Sequence, residues 1–172
     1  MDFLNFLKSN LPSSSETDRI KWANEIISQD LDLASLTDLY NCDYKIASRY
    51  LWLLSSIGDI NSKLLLNYLP ALLELRRKKA HKNTEGTFAN FWLIAGVPII
   101  NESEAINLLF EWINSSKVNV TGKSRSMQVL YILSFKYPEL KQELKVCLES
   151  QLDKNTSNYQ DKVKKTLEQL TN

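Results

Sequence analysis

The only histidine in the chain, His81, stands in the run Arg76-Arg77-Lys78-Lys79-Ala80-His81-Lys82. An imidazole there could act as acid, base or metal ligand only with a carboxylate, thiol or second imidazole brought close to it. The sequence points to no such partner. The two cysteines, Cys42 and Cys147, have no Cys- or His-rich surroundings that would give metal-ligand spacing. Cys42 falls in a predicted turn after Asn41, and Cys147 lies on the apolar line Leu140, Leu144, Cys147, Leu148, where it reads as a packing residue. His81 accordingly reads as a solvated residue at a helix end. The expectation is a chain with no catalytic residue, no cofactor and no metal.

The triplet Gly122-Lys123-Ser124 matches the end of a phosphate-binding loop. That loop needs a further glycine five residues earlier, where Lys117 stands, and a strand upstream that the pattern does not predict. What remains is a helix start carrying Lys123 and Arg125, where free backbone donors favour an anion. The competing reading is a solvated helix cap.

Five Lys or Arg residues lie within 76–82, and the rest of the chain then holds 16 basic against 20 acidic residues. Arg76, Arg77, Lys78 and Lys79 are therefore candidate contacts to an acidic partner or a phosphate backbone. Cations at a helix C-terminus also complement the macrodipole without any ligand. Four consecutive helical residues point around most of the circumference, so they cannot all face one duplex. Leu72, Leu73 and Leu75 fill the preceding turn, and no aromatic interleaves the run as a base-stacking platform would. Weak, non-specific nucleic-acid binding is the expectation. Arg49 lies one turn before Trp52-Leu53 and could follow an inter-helix groove, pairing with Asp30 or Asp59 or contacting a partner. Trp22, Trp52, Trp92 and Trp112 all sit on apolar helical faces and read as core.

The elements that hold these residues follow from composition and periodicity. The chain has 172 residues, 44% hydrophobic and 24% charged, with a net charge of +1. These values describe an ordinary folded chain with no global field to steer it to nucleic acid or membrane. Only 4 Gly and 4 Pro argue against an all-β fold, which needs many turns. No apolar window reaches membrane-spanning length, and the run Phe3–Leu7 is too short for a signal sequence. A reducing cytoplasm is the expected setting. The Asn-x-Ser/Thr triplets at Asn101, Asn114, Asn119 and Asn155 then carry no glycan.

Apolar residues recur at three and four along nearly the whole chain, predicting about ten helices. The spacing predicts helices near 2–9, 17–28 (opened by a Ser15/Asp18 capping box) and 33–41. Next come 44–57, capped by Asp43 and ended by Gly58, and 62 to about 80, where Pro70 should cause a kink or break. The remaining helices are 84–96, 104–115 capped by Ser103, 121–136, one from Pro138 to about 151, and 157–170.

Trp52-Leu53-Leu54-Ser55, Trp92-Leu93-Ile94-Ala95 and Tyr131-Ile132-Leu133-Ser134 share one pattern, 40 and 39 residues apart. Each precedes a turn and a leucine-rich helix, and Trp22 marks a degenerate unit earlier. Two helices per roughly 40 residues is the signature of a HEAT- or armadillo-type α–α superhelix. Stacked pairs bury jointly what one pair leaves exposed. The expected organisation is a single all-α domain, 1–172. An N-terminal cap and degenerate repeat (1–41) lead into repeats at 42–82, 84–119 and 121–151. Residues 157–170 form a capping helix with Val163, Leu167 and Leu170 facing in.

Glu111-Trp112-Ile113, Lys123, Ser126–Leu133, Pro138-Glu139-Leu140-Lys141 and Leu148-Glu149 together resemble a group of small Bacteroidetes proteins. Arg49-Tyr50-Leu51-Trp52-Leu53 resembles the same group's R-A-x-W-x-L helix. The resemblance covers roughly 40–170 and implies a HEAT/armadillo-like superhelix. Members are sometimes labelled adenylosuccinate lyase. A lyase of that kind is much longer, with composite sites and a Ser-rich mobile loop, and the resemblance carries over no catalytic residue. Three functions are thus open. The first is a non-enzymatic scaffold binding a protein or peptide on its concave face. The second is a nucleic-acid-binding protein related in fold to HEAT-like DNA-alkylation-repair glycosylases. The third is an enzyme carrying the lyase label. Fold alone does not separate them.

Overall fold

The computed structural model describes residues 2–171, which form ten α-helices and three short 3-10 segments, with no strand among the described residues. Local signals explain where most helices start. Asp2 accepts from the Leu4 amide and opens α1, Phe3–Asn10. Ser15 and Asp18 form the reciprocal capping box of α2, Glu16–Ser28, as their spacing predicts. Asp43 accepts from the Lys45 and Ile46 amides and opens α4, Tyr44–Ile60. Asn61 caps α5, Ser62–Lys78, and Gly96, at φ 86°, ends α6, Glu85–Ala95. The rest are α7 Glu102–Asn114, α8 Val120–Leu133, α9 Glu139–Glu149 and α10 Ser157–Thr171.

Several expectations are corrected. The predicted helix 33–41 is a 3-10 segment Leu33–Leu36 followed by the single-turn α3, Asp38–Asn41. Gly58 does not end its helix. It is buried two residues before the end of α4, packed against Leu65 and Ile94, so its role is close approach rather than termination. Pro70 does not break α5, which runs through it from Ser62 to Lys78. Ser103 is not a cap, because α7 already starts at Glu102. The helix predicted at 121–136 is α8, Val120–Leu133, capped by Asn119.

The helices stack in two rows. In the first row α2 packs on α4, α4 on α6, α6 on α8, and α8 on α10. In the second, α5 lies against α4 and α6, α7 against α8, and α9 against α7, α8 and α10. The core runs continuously between the rows from Leu7 to Val163. At one end α1 brings Leu7 into the core and stands Phe6 edge-on to Trp22, with ring centroids 5.6 Å apart. At the other end α10 buries Tyr159 and Val163, with Leu167 and Leu170 packed partly against the core.

The shared aromatic signature does not occupy shared environments. Trp92 is buried and stacks on Trp112 of α7, with centroids 5.6 Å apart and planes within 12°. Trp52, by contrast, is 42% exposed, which corrects its reading as core. The inward aromatic of α4 is Tyr50, two residues earlier, whose hydroxyl donates to that of Tyr68 at 3.0 Å. Two residues turn a helix by about 200°, so filling the inner slot with Tyr50 sends Trp52 outward. Trp22 and Trp112 are buried as expected, and Tyr131 is half-buried.

Candidate functional site

The outward turn of Trp52 places it in a groove across the first row. Trp52, Ser55, Ser56 and Asp59 lie at i, i+3, i+4 and i+7, so α4 presents them on one face. Glu16 and Arg19 of α2, Thr87 and Asn90 of α6, and Arg125 of α8 complete a cavity of about 230 Å³. Four successive helices of the first row, α2, α4, α6 and α8, line this depression. It continues past Arg125 into a second depression between α8 and α10, lined by Thr121, Ser124, Gln128, Asn158 and Lys162 among others.

Two arginines, Arg19 and Arg125, line this groove, and a third, Arg49, lies beside it against the Trp52 ring. Arg19 is buried, and its Nη1 donates to the Ser14 carbonyl at 2.9 Å and to the Ser14 hydroxyl at 3.2 Å. Its guanidinium carbon lies 5.2 Å from the centroid of the Trp52 ring, and that of Arg49 lies 4.4 Å from it. Burial first, and the charge of Arg49 second, lower the Arg19 pKa, while the carboxylate of Glu16 works in the opposite sense. Arg125 donates through Nη1 to the Gly86 carbonyl at 3.0 Å. Among the described residues none of the three forms an ion pair, although Glu16 and Asp59 line the same cavity, and Nε of Arg19 has no hydrogen-bond partner. Of the two roles open to Arg49, the pairing with Asp30 or Asp59 is not formed. Its guanidinium lies against the indole instead.

The basic run is divided among separate internal contacts. Arg76 turns inward, its guanidinium carbon 5.6 Å from the Phe88 centroid and 5.1 Å from that of Trp112. Arg77 bridges Glu74 and Glu104, with Nε 2.8 Å from Glu104 Oε1, and these bonds raise its pKa. Lys78 lies 3.8 Å from Glu74, and Lys79 donates to the carbonyls of Asn41 and Cys42, both at 3.1 Å. His81 is buried, which corrects its reading as solvated. Its Nε2 donates to the Tyr40 carbonyl at 2.8 Å, tying the end of α5 to α3. Burial pushes the Tyr40 phenol up to about 12, and that hydroxyl donates to the Lys79 carbonyl.

The helix start at Lys123 is likewise not a solvated cap. Asn119 Oδ1 accepts from the Gly122 amide at 2.8 Å, which takes up a donor an anion would use. Lys123 is only 4% exposed, with Nζ 3.5 Å from Asn155 Oδ1, and burial lowers its pKa. It does not join Arg125 in the groove. Cys147 is half-buried, and its Sγ lies 3.6 Å from Asn114 Oδ1. No group of three His, Cys, Asp or Glu residues among those described is placed to hold a metal ion. No helix of the described residues is long and apolar enough to cross a membrane.

Of the candidate residues, Arg125 lines the groove and Arg49 lies against the Trp52 ring beside it, while Arg76, Arg77, Lys78, Lys79 and Lys123 are engaged elsewhere. Sequence reasoning missed Glu16, Arg19, Ser56, Thr87 and Asn90, and named Ser55 only as part of the repeated signature and Asp59 only as a partner for Arg49. The readable signal was the stripe from Trp52 to Asp59, polar at helical spacing beside the leucine face.

A double row of helices built from repeated pairs defines an α-helical repeat protein. The HEAT repeat domain family matches residues 7–170, and the chain belongs to that family. No curated protein and no solved structure gives a significant match.

Proposed function

We propose that this protein is a non-enzymatic scaffold that binds a protein or peptide in the groove of its concave face. One observation carries the reading. The large aromatic Trp52 is held outward, among polar side chains, in a cavity that four successive helices line. An indole left outside the core, with donors around it, is the kind of anchor that dominates protein interfaces. Helical repeats offer extended concave surfaces for such contacts. The groove has no nucleophile paired with a base, and its serines have no imidazole near them, so it offers recognition rather than chemistry.

Photo-crosslinking in the native cell tests this, with the crosslinking residue at position 55 in the groove or at position 143 on the outer row. Protein adducts that form from position 55 and not from 143 support the reading. Adducts only from 143, or nucleic acid captured at 55, overturn it.

A further inference from the structure

Past Arg125 the first row opens into a depression of about 330 Å³ between α8 and α10. Both helices begin there. Val120 and Thr121 open α8, and Thr156 and Asn158 stand at the start of α10. Asn119 takes the Gly122 amide, and Thr156 accepts from the amides of Tyr159 and Gln160. The first two amides of each helix, Val120 and Thr121, then Ser157 and Asn158, donate to no acceptor among the described residues. A helix start carries about half a positive charge, and here two packed helices start together. Arg125 and Lys162 add two full charges to the lining, which holds no Asp or Glu among the described residues. Lys162 and Lys165 line the adjoining depression, again with no acid. The groove over Trp52 differs, because Glu16 and Asp59 balance Arg19 and Arg125 there. A side chain adds a separate sign of a ligand. Ser124, the one buried residue of the lining, is 4% exposed, and its hydroxyl has no hydrogen-bond partner.

We infer that this depression takes the phosphoryl group of a phosphorylated peptide side chain. Its oxygens are held by the first amides of α8 and α10, by Arg125 and Lys162, and by the Ser124 hydroxyl. This rests on the first row being a peptide-binding surface and names a modification that the surface reads. A phosphomonoester brings a charge of about −1.5 to −2 and three acceptor oxygens to one point, which two cations and two helix starts can all engage. A carboxylate brings a single charge and two oxygens. A nucleic acid spreads its charge along a strand, and a strand following the row past Arg125 would meet Glu16 and Asp59. Arg125 spends one Nη on the Gly86 carbonyl, which fixes its fork beside the depression and leaves further donors. Met127 and Tyr131 of the adjoining depression offer apolar surface to the residue next to the phosphorylated one.

Titration of the full chain, followed by proton–nitrogen NMR, tests this. The probes are acetyl-alanyl-phosphoseryl-alanine amide, the same peptide with unmodified serine, and a twelve-nucleotide oligodeoxythymidine. The phosphopeptide is expected to move the amides of Thr121 and Asn158 and the Arg125 Nε signal saturably. The unmodified peptide should bind at least about tenfold more weakly, because it lacks every charge-assisted bond. Affinity for the phosphopeptide should rise severalfold between about pH 5 and about pH 7.5, as the phosphate loses its second proton near pH 6. Lys162→Gln, a change at an exposed position, should weaken the phosphopeptide about fivefold or more at unchanged helix content. Ser124→Ala should weaken it too while leaving the free chain as stable as before, since the hydroxyl removed has no partner there. Equal binding of the two peptides, full affinity in either variant, or no response at Thr121 and Asn158 overturns the phosphoryl assignment. The peptide-binding reading of the row is then still decided by crosslinking from position 55. Tighter binding of the oligonucleotide at the same signals overturns both.

Discussion

Gly86 and Gly122 face each other where α6 meets α8. A Cβ on Gly86 would stand 3.2 Å from the Cα of Gly122 and 3.4 Å from its amide nitrogen. The close approach is what lets Arg125, three residues beyond Gly122, reach the Gly86 carbonyl at 3.0 Å. The neighbour is backbone and cannot rotate away. Gly86→Ala is therefore expected to destabilise the fold by about 1–3 kcal/mol through overpacking, outweighing the roughly 0.5–1 kcal/mol that alanine gains over glycine in a helix. Urea denaturation measures the net change, and a stabilised variant would show that the two helices separate freely.

The two tryptophans of the repeated signature should differ when each is truncated. Trp92 is 4% exposed and stacked on Trp112, so Trp92→Ala should cost about 3–5 kcal/mol from lost burial and an unfilled cavity. Trp52→Ala loses a half-exposed ring and its contacts with Arg19 and Arg49, and should cost less than about 1 kcal/mol. Denaturation of both variants under one condition checks the contrast. Equal losses would place Trp52 in the core after all.

The cations at 76–82 should contribute little to nucleic-acid binding. Arg76 lies against aromatic rings, Arg77 and Lys78 are paired with acids, and Lys79 is bonded to two carbonyls. A gel-shift titration at moderate salt compares the native chain with one in which Arg76, Arg77, Lys78, Lys79 and Lys82 are all Gln. Weak binding that falls steeply with salt is expected from both, since it reports only phosphate neutralisation. Sub-micromolar binding by the native chain, lost in the variant, would contradict these internal engagements.

Glu102 supplies a pH signature. Lys136 donates to its two oxygens at 2.8 and 2.9 Å, and Tyr137 donates to Oε2. The Lys136 bonds first, and the Tyr137 bond second, hold the carboxyl below its ordinary range. A depressed pKa in the fold means stability that is complete above the unfolded value, about 4.3, and is lost as pH falls through the lower folded value. The lead of the native chain over Glu102→Gln should thus be full at neutral pH and shrink in acid. Paired denaturation curves at neutral and acidic pH measure it, and a lead that grows in acid would contradict the sign.

The sequence by itself determined the all-α class, the stacked pairs and most helix starts, because those depend on residues three or four positions apart. The Ser15–Asp18 box, the Asp43 cap and the Gly96 stop are interactions of this kind, and each stands where local spacing puts it. Only the tertiary structure decided which way each helix turns its aromatics. Trp52 and Trp92 share a local pattern, yet Tyr50 fills the inner slot beside one and Trp112 receives the other. His81 is buried by a carbonyl 41 residues away, which no local pattern announces. The groove is of the same origin. Arg19, Trp52 and Arg125 lie on three different helices, and they line one groove because stacking buries the apolar stripes of α2, α4, α6 and α8 and thereby sets the rotation of every polar face.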